Sequence, residues 1–413
     1  MKFRFLFPKL GIILFAASAV LSLSAQKSAV RAPKQEKLLN GLKVLMWNDP
    51  SADKVTVKIR IHSGSSFDPQ GKEGVMKLLA EDIFPTAESR EFFKDDLGGD
   101  LDVISNYDYI QINASSKPSE FLTMLDTLAA AVTNPTIDRE TTEKLKTVLL
   151  AKIAEMEKEP SYVADQAAAE RLFGTFPYGR PLSGTPDSVK KIDFADLRFA
   201  KDRFFGADNA TMTISGNFDP DLGVKAVRRY FGSWLKSDNK VPSTFRQPDD
   251  PNTKLLVVNS PSAGEPVFRF ALRGVSRSDK DYAAAAVFGR ILRSRLQNVG
   301  PNATVINEAR ILPGIMLIGF RNASATTLPS GLFTEKVTAP EFSKAQAEIA
   351  REMATRPADE FWLDADTYKT SASDDSQAFQ NVTITDVQRV ADRFSKNPIV
   401  SVSVQSATSE NVK

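Results

Sequence analysis

The sequence has no cysteine and a single histidine, His62, in 413 residues. Without thiols there are no disulfides and no thiolate metal sites, so an oxidising compartment is tolerated but not exploited. With one imidazole, the usual zinc sets of two or three histidines are out of reach. Charge of one sign is also lacking. Fifty-three Lys and Arg face 51 Asp and Glu, a formal net charge of +2. No dense basic stripe with interleaved aromatics occurs, which argues against a nucleic-acid partner. There is no G-x-G-x-x-G and no P-loop. Past the N-terminus no run is apolar enough to span a bilayer. His62 sits in an alternating segment and, lacking a second ligand, is expected to be an ordinary strand residue.

What is present is a globular composition, with 42% hydrophobic and 25% charged residues, in a chain long enough for two domains. Met1-Lys2-Phe3-Arg4 is a short basic start. Leu10 to Leu23 is almost wholly apolar, and Ser22-Leu23-Ser24-Ala25-Gln26 supplies small residues. This pattern predicts a secretory signal over residues 1–25 and an exported protein, periplasmic or extracellular.

Asn40-Gly41 between apolar runs predicts a hairpin turn. Val55–Ile61 alternates with period two and predicts a half-buried strand. Val75, Leu78, Leu79 and Ile83 have helical spacing. A helical stretch from about 119 to 173 is broken at Asn134-Pro135 and near Pro160. Residues 237–252, polar and with three prolines, read as a linker. Asp196–Phe204 (DLRFAKDRF) returns as Asp386–Phe394 (DVQRVADRF), 190 positions on at both ends (196 to 386, 204 to 394). Each copy follows a capping Asp193 or Thr383 and leads into an alternating strand. The repeat predicts duplication of a whole α+β unit: two homologous domains, 38–236 and 253–407, each an antiparallel sheet with helices on one face.

Several segments together resemble the insulinase/pitrilysin zinc peptidases. They are Leu39–Val44, Ser63-Gly64-Ser65, Gly74–Glu81, Leu97–Asp100, Asn106-Tyr107-Asp108, Asn134-Pro135, Phe176–Pro181 and Ser215–Asp219, then Asp281-Tyr282-Ala283 and Ser294-Arg295-Leu296. The resemblance spans essentially all of the chain after the leader. It implies that the domains face one another across a cleft.

The family's inverted motif, H-x-x-E-H, binds Zn²⁺ through two histidines, and its Glu activates water. Here the five positions read Lys77-Leu78-Leu79-Ala80-Glu81. The third ligand, a later Glu, falls at Ala151 or Lys152. A cation, a methyl group and a lysine replace what the metal needs, so the resemblance implies no zinc and no catalytic residue. Lys77 and Glu81, at i and i+4, share a helix face, and Lys152 is a candidate second cation for Glu81. The family's substrate-holding Arg and Tyr follow the Ser-Arg-Leu segment, which is shortened here, with Ala303 near the Tyr position. The resemblance also implies pairing, since bacterial members of this size are often expressed as pairs, one subunit carrying zinc and the other not. The expectation is therefore a non-catalytic subunit of an exported heteromeric peptidase, with a zinc-containing partner and with peptides as ligands. The alternatives are a stand-alone or homodimeric module binding peptides or envelope proteins, and an active metallopeptidase with altered ligands.

Overall fold

A computed structural model describes residues 30–237, 246–297, 300, 302–321 and 327–406. The expected leader, half of the expected linker, and part of the shortened segment after Leu296 lie outside the described residues. None of the described helices is long and apolar enough to cross a membrane.

The first half builds a six-stranded sheet from β1 (Lys34–Lys37), β2 (Lys43–Asn48), β3 (Val55–Ile61), β4 (Leu101–Ser105), β5 (Ile110–Ser116) and β6 (Ala210–Gly216). Its spatial order is β1-β2-β6-β3-β5-β4. The second half builds five strands: β7 (Leu256–Asn259), β8 (Val267–Arg273), β9 (Thr304–Glu308), β10 (Ile315–Arg321) and β11 (Val400–Gln405). Their order, β7-β11-β8-β10-β9, repeats the first sheet without β1. Both sheets are antiparallel except for one pair in each, β2 with β6 and β7 with β11. In each half that parallel pair joins the first long strand to the last one, which a helical crossover delivers from the far end of the domain.

The helices of the first half are α1 (Val75–Asp82), α2 (Ala87–Asp95), α3 (Phe121–Thr133), α4 (Arg139–Met156), α5 (Pro160–Phe173), α6 (Pro186–Lys190), α7 (Phe194–Phe204) and α8 (Pro220–Phe231). Those of the second are α9 (Tyr282–Gln297), α10 (Ala339–Thr355), α11 (Ala358–Tyr368), α12 (Ala372–Asn381) and α13 (Ile384–Phe394). The repeat is exact in structure, since α13 starts and ends 190 positions after α7 (194 to 384, 204 to 394). Both carry a capping box, Asp193 with Asp196 and Thr383 with Asp386. Each satisfies orphan N–H groups of the first turn from both sides.

The alternation in β3 explains how each sheet is covered. Val55, Val57, Ile59 and Ile61 are fully buried in the core under the helices. The other face of the first sheet carries Lys58, Arg60 and His62 and is closed by α11, a helix from the second half. Reciprocally, α5 of the first half covers the second sheet. Its Ala164, Ala168 and Leu172 pack with Val267, Ala271, Leu317, Val402 and Val404. The halves thus exchange one helix each, and the two contacts differ in chemistry. The α5 contact is largely apolar, with an ion pair, Asp165 to Arg269. The α11 contact is a charge network.

Arg60 is wholly buried at the centre of that network. Its Nε donates to Gln111 Oε1 at 2.6 Å, Nη1 to Asp364 Oδ1 at 2.7 Å and Nη2 to Glu360 Oε2 at 2.9 Å. Its guanidinium lies 4.0 Å from the Tyr109 ring centre. Lys58 pairs with Asp359 at 2.9 Å and Glu360 at 2.5 Å, and Lys43 with Asp366 at 2.8 Å. Burial alone raises the Glu360 and Asp364 carboxyls. The cations Lys58, Arg60 and Arg356 outweigh it and hold both below their ordinary range.

His62, read from sequence as an ordinary strand residue, is half-buried within this contact. Its Nδ1 lies 3.1 Å from Thr367 Oγ1 and its Nε2 3.0 Å from Thr211 Oγ1. Burial, then the nearby Lys369 charge, push its pKa down to about 3. The ring is therefore neutral at physiological pH, while the Thr211 and Thr367 hydroxyls donate to Asp366 Oδ2 at 2.8 Å and to the Leu363 carbonyl at 2.9 Å.

Candidate functional site

The site to which the sequence points lies on α1. Gly74 begins the helix with φ 106°, a left-handed conformation that glycine adopts without strain. Asp68 then caps it, accepting from the Gly74 and Met76 N–H groups at 2.8 Å each. Val75, Met76, Leu78, Leu79 and Ala80 face the core, which fixes the rotation of the helix. Lys77 and Glu81 are left on one side, one turn apart. Their side chains pair at 2.8 Å, with Lys77 14% and Glu81 35% exposed. The paired carboxylate and ammonium neutralise each other where the family's two imidazoles would converge.

The second wall is α4, which packs against α1. Asp138 caps α4 by accepting from the Thr141 N–H at 2.9 Å. Its buried residues Thr142, Lys146, Leu149 and Ile153 recur at helical spacing and set which face meets the core. Ala151 and Lys152 fall on the exposed side. Lys152 makes no ion pair or hydrogen bond among the described residues, so the expected bridge from Glu81 to Lys152 is absent. The reason is rotational: with Leu149 and Ile153 facing inward, position 152 points outward.

This donor set does not fit a zinc ion. Of the five motif positions, one offers an ammonium, three offer hydrocarbon and one offers a carboxylate already engaged. The α4 positions add a methyl group and a second ammonium, which repels a cation. No group of three or more His, Cys, Asp or Glu side chains is placed to hold a metal among the described residues. At the family's general-base position stands Ala80, a methyl group buried against the core.

The residue sequence reasoning missed is Asp82, next to Glu81. It is 3% exposed, and neither carboxylate oxygen has a hydrogen-bond partner. Burial, then the Asp138 charge, raise its pKa to about 7. The folded value exceeds the ordinary 3.8, so the folded state holds this proton more tightly than the unfolded chain. Its contribution to stability is full below about pH 4 and is lost as pH rises through about 7. Asp82→Leu, which removes the polar group at similar volume, is expected to stabilise the protein by about 1–2 kcal/mol at pH 8. The gain should shrink toward pH 5, as read by urea unfolding at the two pH values. In the sequence, the signal is an acid at a position where the periodicity of α1 calls for an apolar residue.

Ser294-Arg295-Leu296 is a structural segment. Arg295 donates to Glu341 Oε1 at 2.7 Å and to the Leu332 carbonyl at 3.0 Å, fastening α9 to the start of α10. It is spent within the second half. Beside α1, β4 forms the free edge of the first sheet, pairing only with β5. Ile104 on that strand is 43% exposed.

Comparison with known proteins agrees with this architecture. Residues 43–186 match the family described as insulinase (peptidase family M16), and residues 191–348 match the peptidase M16 inactive domain. An uncharacterized zinc protease of Bacillus subtilis, YmxG, is 24% identical over 200 residues, 47% of this chain and 49% of the relative. A probable mitochondrial-processing peptidase subunit beta of Arabidopsis thaliana is 27% identical over 281 residues, 64% of this chain and 51% of the relative. The chain spans about half the length of these curated relatives in the matched regions. A protease from Helicobacter pylori superposes with TM-score 0.82 at 15% identity, covering 91% of this chain and all of that one. A peptidase M16 inactive domain from Pseudomonas fluorescens gives 0.81 at 18% identity, covering 92% and 98%. Two sheets of matching strand order, the two family matches that together run from residue 43 to 348 and these superpositions lead to one assignment: the chain belongs to the insulinase/pitrilysin-like M16 peptidase family.

Proposed function

We propose that this chain is the non-catalytic subunit of an exported, heteromeric insulinase-type metallopeptidase, in which it shapes the chamber and holds peptide while a second subunit carries zinc. The observation behind this reading is the Lys77–Glu81 ion pair on an otherwise intact α1, with a buried methyl at Ala80. The scaffold that positions the family's chemistry is kept, and its chemical groups are replaced. The open edge of β4, beside α1, offers unpaired N–H and C=O groups to an extended peptide. Among similar proteins, one is named as a peptidase subunit, and another is described as the periplasmic protease PqqL from Escherichia coli.

The test is reconstitution. The chain is co-expressed with each insulinase-type homologue of the same genome that has an intact H-x-x-E-H. A stable complex is expected by size-exclusion chromatography, with peptide hydrolysis several-fold above that of the homologue alone. No complex with any of them would overturn the proposal.

A further inference from the structure

A cavity of about 780 Å³ lies where the two halves meet, between α5, α9, α10 and the turn at Asn106–Asp108. Most of its charges are matched. Glu308 pairs with Arg310 at 2.5 Å, Asp165 with Arg269 at 2.5 Å, and Glu352 with Arg290. Asp108 accepts from the Tyr178 hydroxyl at 3.0 Å and from the Ile311 N–H at 3.2 Å. Arg293 on α9 is different. Its Nη2 is held by the Val305 carbonyl at 3.2 Å, and among the described residues no carboxylate meets it. The guanidinium is thus steadied in position with its charge unspent.

A second observation concerns uncharged atoms. Three buried polar atoms of residues lining this cavity have no hydrogen-bond partner: Gln166 Oε1, Asn307 Oδ1 and Arg310 Nη1. Buried polar atoms are seldom left so, and each one unmade costs free energy. Two are acceptors and one is a donor. Turned toward the cavity, the two amide oxygens would accept from the N–H groups of a peptide backbone and the guanidinium would donate to its carbonyl. The Arg310 guanidinium stacks 4.0 Å from the Tyr107 ring centre and 4.7 Å from that of Tyr178. Apolar wall is supplied by Ala286, Ile349 and Met353.

We propose that this junction cavity captures the C-terminal end of a peptide, with the free α-carboxylate on Arg293 and the last amide groups on Gln166, Asn307 and Arg310. It rests on the reading that the chain binds peptides, and it adds the end by which a peptide is held. The α-carboxylate supplies the charge that Arg293 lacks, in a charge-assisted bond. Arg293 is exposed, so its replacement leaves the core intact.

The test uses the full chain and a fluorescein-labelled pool of random nonapeptides, one pool with free C-termini and one amidated, read by anisotropy. The free acids are expected to bind about tenfold more tightly than the amides. Arg293→Met should abolish that difference while leaving the affinity for amides unchanged. Equal binding of both pools to the wild type would overturn the carboxylate site and leave peptide binding standing. Binding of neither pool would overturn both readings.

Discussion

Replacing Arg60 with methionine is expected to destabilise the protein by about 3 kcal/mol, the largest single effect in the α11 contact. The side chain is fully buried and gives three charged or polar bonds, two of them to carboxylates of α11. Methionine fills most of the volume but leaves Glu360 and Asp364 with less compensation in a site that excludes water. A buried ion pair adds little over a hydrophobic pair, yet losing one partner is costly, because the other charge stays desolvated. For domains of this size the thermal midpoint should fall by roughly 6–12 °C in differential scanning calorimetry. The exposed pair Lys144–Glu140 is the control, with both side chains over 70% solvent-exposed. Lys144→Met should change stability by less than about 0.5 kcal/mol.

Ala168→Glu is expected to cost still more, about 4 kcal/mol at pH 7.5, and for the opposite reason. Ala168 is completely buried on α5 against Val267, Ala271 and Val402, and the nearby cation of β8, Arg269, is already paired with Asp165. A carboxyl placed there stays neutral well above its ordinary pKa. Its penalty therefore grows as pH rises from about 4 and levels off near 8. Denaturant unfolding at pH 5 and pH 7.5 should show the larger loss at the higher value. Ala168→Leu separates size from charge: overpacking alone costs about 1–3 kcal/mol and is independent of pH. Together the Arg60 and Ala168 variants test whether the two exchanged helices are held by the different forces the structure shows.

The unequal chemistry of the two contacts also explains what the sequence made legible. The apolar side of β3 and the repeat of α7 as α13 follow from periodicity and capping, which are local. Asn40-Gly41 and the breaks before Ile137 and at Pro160 are local too. The docking of α11 is not. Its sequence, ADEFWLDADTY, carries four acids, and β3, half-buried by its alternation, turns Lys58 and Arg60 to its other face. Each is polar because the other is, and the pairing joins residues about 300 positions apart. Helix α2 was equally hidden, since only Phe93 of its nine residues is buried. At the candidate site, the pairing of Lys77 with Glu81 follows from i,i+4 spacing alone. The outward turn of Lys152 depended on which face of α4 is buried, and its apolar residues leave that ambiguous, with Val148 itself 66% exposed. The isolation of Asp82 needed the packing of α1 against its neighbours.

On α1 the Lys77–Glu81 ion pair occupies the motif positions at which the family binds zinc. That replacement is tested most directly by metal content. The purified chain is incubated with excess zinc, desalted, and analysed by inductively coupled plasma mass spectrometry. The Lys77, Ala80, Glu81, Ala151 and Lys152 set predicts less than about 0.1 zinc per chain, where a catalytic site of the family's kind holds one. A stoichiometry near one zinc per chain, lost on replacing Glu81 with Ala, would contradict the account.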